Sequence, residues 1–482
     1  LLVTLDFRMT STGAFADVIL PAATWYEKAD LSCTDMHPYI HSFNPAIDPP
    51  WEARSDWDAF RELARVFSEM AARHLGVRKD LVATALAKDT PAEAAQPFGH
   101  VRDWSKGEVA PVPGETMPLF TLVERDYGAV YDHFTSLGPA IDSLGVGAKG
   151  VTWDATEEIE WLRTANGTAR TADGPALSAG TAPTVGRSAE GRPSLYHAED
   201  VAEAILALSG STNARAAHAG FTALEERVGR PLAEALACGT GERIRWSDVQ
   251  ARPQKTFTSP EWSGDEAGSR QYSAFSINVE HLVPWRTLTG RMHFFLDHGW
   301  IADLGEQLPI YRPPLNPPDQ YPDVMRPEGE TVTLRYLTPH SKWSIHSDFQ
   351  DNLLMLTLFR GGPVLWLSPE DAAEIEVNDN DWVEMWNRNG VLGCRAVVSA
   401  RMPRGLCYMY HAKDRHVQTP RTEMTGRPGG TDNSLTRLLL KPTHMIGGYS
   451  QLSYALNYYG CAASQRDEVV VVRRRTDQAV KF

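Results

Sequence analysis

The sequence predicts an α/β protein that ends in a small β-barrel. Three observations predict it: a strand–loop–helix order in the first hundred residues, a Pro-rich boundary, and a run of β-patterned segments beyond that boundary. At 482 residues the chain has room for about two to four domains of roughly 150 residues each.

The first element is "LLVTLDF", apolar from Leu1 and ended by Asp6. A strand this apolar needs neighbours on both sides, so the chain is expected to be the C-terminal part of something longer. "ADVILP" (Ala16–Pro21) is a second apolar stretch. A helix opens near Ser55, which stands as N-cap with Asp58 at N3, a short-armed relative of the capping box. Trp57, Phe60, Leu63, Phe67, Ala71 and Leu75 recur every three to four residues as its apolar face, and Gly76 stops it. Strand, loop and helix in this order suit a parallel sheet, which binds ligands at the carboxyl ends of its strands.

Residues 106–310 carry less signal. Arg163–Ser194 is small and polar, a surface excursion; "AEDVAEAILALSG" (Ala198–Gly210) is a helix. Tyr311–Glu330 holds six prolines and reads as a linker. Beyond it, Thr331–Tyr336 is a strand, and Ser368 caps a short helix with Pro369 at N1. In "WVEMWNRNGVLGCRAVV" the pair Asn389-Gly390 is the preferred hairpin turn. "GLCYMYHA" and Asp467–Arg474 supply two more strands. Residues 331–482 thus read as a small barrel with one or two short helices.

Bulk properties exclude several classes. A net charge of −14 argues against a general nucleic-acid or membrane-surface binder, without excluding one local basic pocket. The five cysteines lie far apart with no C-x-x-C, which indicates neither a disulfide scaffold nor a zinc or iron–sulfur site in this span, and favours a reducing compartment. No stretch reads as a membrane span: Thr443–Gln465 lacks formal charge but carries Gln451, Asn457 and several hydroxyls. Nor does any stretch read as a signal peptide.

One loop concentrates polar chemistry. "TPHSKWSIHS" (Thr338–Ser347) holds two imidazoles, an ammonium, an indole and four hydroxyls. In the bland reading, His340 and His346 satisfy nearby backbone and Lys342 is solvated. A zinc site wants closer or helical spacing plus a carboxylate or thiolate, which the loop lacks. The favoured reading is an anion cradle, because these donors suit phosphate oxygens and the edges of a heterocycle on which Trp343 can stack. Asp6, Lys28, Asp56 and Asn433 also sit at ends of apolar elements. Singly they are a turn cap, a partner of Glu27, a helix-dipole carboxylate and a turn former; together they mark where open sheets bind nucleotides. No nucleophile elbow, zincin motif, phosphate P-loop or dinucleotide fingerprint occurs.

"VTLDFRMTSTGAFADVILPAATWYEK" resembles the signature of the molybdopterin oxidoreductases. "LTPHSKWSIHS", "YMYHA" and "NSLTRLLLKPTHMIGGY" resemble the catalytic subunits of the respiratory nitrate reductase branch of that family, and the likeness runs over essentially the whole chain. Gly13 departs from the signature, which has Ser, Thr, Ala or Cys there, and is expected to alter turn flexibility. The resemblance implies part of a Rossmann-like cofactor-binding domain over 1–105. A family-specific insertion with the rest of the α/β domain would follow over 106–330, and a double-psi β-barrel over 331–482.

It also implies a molybdenum cofactor with two molybdopterin guanine dinucleotides. By motif position, the cofactor contacts are Leu5 and Asp6 at the strand end, Lys28, Asp56, and the loop Thr338, Pro339, His340, Ser341, Lys342, Trp343, Ser344, Ile345, His346 and Ser347. His411, Asn433 and Asn457 follow. No residue of this span is implied as a catalyst or metal ligand, since the family's 4Fe-4S ligands and its protein ligand to molybdenum lie in its N-terminal half. The implied reaction is reduction of nitrate to nitrite. Nitrite oxidation by a related enzyme, and a non-catalytic nucleotide- or partner-binding fragment, remain as alternatives. Implied partners are an iron–sulfur beta subunit and a membrane haem b gamma subunit, with the chain peripheral on the cytoplasmic face of the membrane.

Overall fold

The structure is a computed structural model and describes residues 1–34, 37–84, 107, 110–113, 117, 119–138, 141, 146–148, 151–169, 189–229, 231–236, 241–257, 295, 308, 330–346, 348–349, 352–358, 363–411, 419–436 and 468–482. Ser347, Asn457, most of the 163–194 excursion and nearly all of the Pro-rich linker lie outside the described residues. The chain divides into two compact units, one of residues 1–19 with 303–447 and 459–482, the other of 20–302 with 448–458.

At the start, β1 (Val3–Asp6) and β2 (Val18–Pro21) form a two-stranded sheet around the short helix α1 (Ser11–Phe15). The expected burial of the first strand is not found: Leu1, Leu2 and Val3 are exposed. Gly13 is buried inside α1, where a Cβ would meet Met9 Sδ at 3.1 Å, so its smallness relieves a side-chain contact.

The second unit contains β3 (Asp30–Thr34), β4 (His37–Phe43), α2 (Asp56–His74), β5 (Val77–Thr84), β6 (Leu119–Asp126), α3 (Val130–Thr135), β7 (Val146–Ala148), β8 (Val151–Trp153), α4 (Thr156–Ala165), α5 (Ala198–Leu208), α6 (Ala214–Val228), α7 (Ala233–Leu236), α8 (Trp246–Ala251) and β9 (Gln254–Lys255). Its described sheets are small: β3–β4–β9, β5–β6 and β7–β8. The cap of α2 is as expected, with Ser55 Oγ accepting from Asp58 N at 3.1 Å, and Gly76 beyond its end at φ +58°. Of the expected apolar face only Ala71 is buried and Trp57 half-buried. The helix buries Ala59, Ala64, Ser68 and Ala71 and leaves Phe60, Leu63, Phe67 and Leu75 exposed. The small residues let α2 approach α3 closely, as the 2.8 Å bond from Tyr131 N to Ser68 Oγ shows.

The C-terminal strands are β10 (Thr331–Leu337), β11 (Val364–Leu367), β12 (Trp382–Asn387), β13 (Gly390–Val398), β14 (Leu406–Tyr408) and β15 (Val469–Arg474), with α9 (Leu353–Leu358) and α10 (Pro369–Glu374) between them. They close in the order β10-β14-β11-β13-β12-β15. Two pairings are parallel, β10 with β14 and β11 with β13; the other four are antiparallel. Alternation builds the core: Val332, Leu334 and Tyr336 of β10 face inward with Val470 and Val472 of β15, Val383 and Met385 of β12, and Leu392 and Cys394 of β13. Ser368 caps α10 as expected.

The hairpin turn shifts by one residue from the expectation. Asn387 pairs with Gly390, so the turn residues are Arg388 and Asn389. Asn387 Oδ1 accepts from Asn389 N at 2.8 Å, and its amide nitrogen reaches Leu435 O at 2.8 Å. Gly390 is needed for close approach instead, since a Cβ there would lie 2.9 Å from Ser434 O. Gly390→Ala is expected to destabilise the barrel by about 1–3 kcal/mol, read as a lower urea midpoint. An unchanged midpoint would show that the 432–435 turn yields freely.

Candidate cofactor site

The loop after β10 and the end of β14 meet because parallel pairing continues past both strands. Leu337 pairs with Tyr408, Met409 N donates to Leu337 O at 3.1 Å, and His411 N donates to Pro339 O at 3.1 Å. Two residues about seventy apart in sequence, His340 and His411, therefore stand with ring centroids 4.1 Å apart. The loop then turns back: Asp348 N donates to Ile345 O at 2.8 Å, and His346 takes φ +50°. That left-handed backbone is strained for a side-chain-bearing residue and sets the imidazole beside the other two. His346 lies 5.3 Å from His340 and 5.0 Å from His411.

The polarity of the loop divides by burial. Thr338 and Ser344 are buried, while His340, Lys342 and His346 are exposed. Lys342 Nζ sits 4.6 Å from the Trp343 ring centroid, a cation–π contact that keeps the ammonium at the loop. His411 Nε2 is buried with no hydrogen-bond partner among the described residues. Burial chiefly, and then the His340 imidazole, hold His411 below the ordinary histidine pKa of 6.5, against the pull of Asp432. The neutral form is thus favoured by folding, so its stabilising contribution is present above pH 6.5 and is lost as pH falls below it. His411 is expected to titrate by NMR with a midpoint below 6.5, and a midpoint above it would contradict the assignment.

The three histidines are the group among the described residues that offers convergent metal-ligand atoms, all within 4.8 Å of one another. A tetrahedral site with bonds of 2.0–2.1 Å would separate its ligand atoms by about 3.4 Å and usually includes a thiolate or carboxylate. The sequence argument against zinc rested on the spacing and on the lack of a carboxylate or thiolate in the loop; the structure adds a third imidazole but neither of those groups to the cluster. The spread and the all-imidazole composition still suit the edge of a planar, hydrogen-bonding ligand better than a bare ion. Lys342 adds the charge that a phosphate requires.

Two other residues join this site that sequence reading missed. Asp432 is fully buried, in the turn Asp432–Leu435; its carbonyl accepts from Tyr336 Oη at 3.1 Å, and its charge acts on His411. A carboxylate between Gly430 and Ser434 reads as a surface turn, so only its burial reveals it. Asn433 beside it is exposed, its Oδ1 3.3 Å from Thr436 Oγ1. At the other end, Asp6 Oδ1 accepts from Arg8 N at 3.0 Å, the turn-cap role, and Arg8 lies 3.5 Å from Asp348. Arg8 ties the strand-end turn to the barrel loop, and Leu5 precedes it half-buried in β1.

In the second unit, Lys28 and Asp56 are each other's partner, Nζ to Oδ2 at 2.6 Å, with Asp30 at 3.7 Å. Lys28 borders a cavity of about 470 Å³ together with Arg54, Ser55, Arg61 and His197.

The matches to known families follow this geometry. The barrel segment 334–452, which holds the three histidines, matches the molybdopterin dinucleotide binding domain, and residues 1–66 match the molybdopterin oxidoreductase model. The chain belongs to the molybdopterin oxidoreductases. Residues 144–280, where sequence reading found no chemistry, match domain V of the nitrate reductase alpha chain. The chain is 55% identical to the nitrate reductase alpha subunit of Mycobacterium tuberculosis over 99% of its own length and 38% of that relative. It is 47% identical to the respiratory nitrate reductase 2 alpha chain of Escherichia coli, over 98% and 37%. It is 28% identical to the perchlorate reductase alpha subunit of Dechloromonas aromatica, over 98% and 36%. This molybdopterin oxidoreductase chain thus spans somewhat over a third of the length of the curated relatives it matches.

Proposed function

We propose that this chain holds the dinucleotide cofactor in the catalytic subunit of a molybdenum nitrate reductase. One observation carries the reading: His340, His346 and His411 converge, with His411 Nε2 buried and without a hydrogen-bond partner among the described residues, inside the segment that matches a molybdopterin dinucleotide binding domain. The residues fit the group. The three imidazoles, with Thr338, Pro339, Ser341, Ser344, Ile345 and Ser347 of the same loop, would hold a pterin edge; Lys342 and Trp343 would hold phosphate and ring. Leu5, Asp6, Asn433 and Asn457 complete the set, and Lys28 and Asp56 would serve a second nucleotide. The α/β part would be Rossmann-like, the barrel double-psi, and the domain limits 1–105, 106–330 and 331–482.

When bound, molybdenum with two molybdopterin guanine dinucleotides supplies oxygen-atom transfer and two-electron chemistry. The chain's own contribution is binding and orientation: buried donors fix the heterocycle, and a neutral His411 accepts or donates one hydrogen bond without carrying charge into the site. Nitrate is the substrate. An iron–sulfur beta subunit and a membrane haem b gamma subunit are the partners, with 4Fe-4S ligands contributed from outside this span, at the cytoplasmic face of the membrane. No helix among the described residues is long and apolar enough to cross a membrane.

The test is an assay of the complete subunit with reduced viologen and nitrate, together with elemental analysis. Nitrate consumption by molybdenum-loaded protein is expected. Robust nitrite oxidation without nitrate reduction, or the absence of molybdenum, would overturn the proposal.

A further inference from the structure

Residues 144–280 supply none of the proposed cofactor contacts, yet they enclose a cavity of about 500 Å³ lined by four cations and four carboxylates. The charges are not evenly mixed. Glu158 of α4 is buried and accepts from Asn213 Nδ2 at 2.9 Å and from Arg215 Nε at 3.0 Å. Arg215 also lies 3.7 Å from Glu157, so this guanidinium has its counter-charge.

The other two arginines of the cavity do not. Arg243 bridges to Asn213 in antiparallel fashion, with Ala214 N donating to Glu242 O at 3.0 Å and Ile244 N to Thr212 O at 2.9 Å. The extended backbone buries Ile244 and sends the side chains before and after it to the opposite side. There Arg243 and Arg245 both meet Trp161 of α4, their guanidinium carbons 4.0 and 5.7 Å from its ring centroid. A cation–π contact steadies a guanidinium but leaves its N–H groups without acceptors. Among the described residues no hydrogen bond or ion pair engages either guanidinium. Arg243 Nε is buried, which anchors the side chain at its base, whereas its terminal nitrogens are not sealed. Burial chiefly holds Arg243 below the ordinary arginine range, against the pull of Glu158, and the like charge of Arg245 adds to the effect. Two cations side by side without a counter-ion are costly, and an anion relieves both at once.

The cavity also indicates the kind of anion. Paired guanidinium forks match the oxygens of a phosphate group, and their two charges match its dianion. A bare ion leaves most of a cavity of about 500 Å³ unfilled, since pockets of that size hold whole small molecules. Glu157 and Glu242, both exposed on the same cavity, offer acceptors to hydroxyl groups on the rest of such a molecule. We infer that Arg243 and Arg245, set on Trp161, bind the phosphate of a small phosphate monoester whose body carries hydroxyl groups. The inference shares no residue with the cofactor reading and does not rest on it.

The test uses the complete, molybdenum-loaded subunit, with AMP, glucose 6-phosphate and inorganic phosphate as probes. Phenylglyoxal modifies accessible arginines, and peptide mass spectrometry reads the modification residue by residue. At least one of the two esters is expected to slow modification of Arg243 and Arg245 at least fivefold. Arg252, exposed outside the cavity, should react at its usual rate. Adenosine and glucose, which lack the phosphate, should protect neither arginine. Arg245 is exposed, so Arg245→Glu leaves the packing intact and should weaken binding of the protecting ester at least tenfold by equilibrium dialysis. Three results would overturn the inference: no protection by either ester, equal protection by adenosine or glucose, or unchanged ester binding in Arg245→Glu. Inorganic phosphate should protect only at much higher concentration, and protection equal to that of the esters would reduce the cavity to an ion site and overturn the assigned class.

Discussion

His411→Ala in the complete subunit is expected to lower retained molybdenum by about ten- to a hundredfold. Its Nε2 is buried and finds no partner among the described residues, so the chain itself gives that atom nothing to bond. A hydrogen bond to a charged group contributes about 1.5–3 kcal/mol, and each 1.4 kcal/mol is tenfold in affinity. Because the side chain satisfies no described neighbour through that nitrogen, the barrel itself should keep its thermal midpoint. His411→Gln places an amide near the same point and should recover part of the loss. Full occupancy by elemental analysis in His411→Ala would remove His411 from the site.

Glu384→Ala is expected to cost the barrel about 3–5 kcal/mol. Glu384 is fully buried on β12, on the face opposite Val383 and Met385. One carboxylate oxygen accepts from Glu423 N at 2.6 Å and lies 3.9 Å from Arg475; the other accepts from Arg473 at 2.7 Å. Arg473 is its direct cross-strand neighbour on β15, and Arg475 is itself buried. Removing the carboxylate leaves Arg473 with Glu423 alone, at 3.4 Å, and takes from the buried Arg475 the carboxylate 3.9 Å away, which costs more than the pair's net contribution. Amide protection in β12 and β15 should fall by about two to three orders of magnitude. Glu384→Leu with Arg473→Leu should lose much less, since both ends of the pair then become apolar. Protection unchanged in Glu384→Ala would show that water reaches the arginines.

Local signals in the sequence were reliable where they depend on neighbours in the chain. Ser55 and Ser368 cap their helices because a hydroxyl three residues ahead of a backbone N–H needs nothing else. The β-patterned strands of the barrel alternate as written, from Val332 to Val472. The turn of the β12–β13 hairpin misled by one residue because Asn387 and Asn389 both donate to Leu435 O, the former across forty-eight residues, and Gly390 pairs with Asn387. Long-range contacts have no local signature. The α2 stripe is the sharper case: the periodicity of Phe60, Leu63 and Phe67 is real, yet these residues have no described surface to bury against. Periodicity states that a face wants a partner and does not say where the partner is.

By itself the sequence determined the family, the position of the donor-rich loop, and a polar cluster that reads as an anion cradle in an acidic chain. Tertiary structure alone decided which donors face one another. Parallel pairing of β10 with β14 brings His411 to His340; the strained turn at His346 closes the group; and the burial of Asp432 sets a carboxylate beside it. The same folding pairs Lys28 with Asp56, twenty-eight residues apart. The physical reason is common to all of these. Residue type and spacing fix what a side chain can do, whereas strand register and burial fix which charges and ring nitrogens lie within a few ångströms of one another.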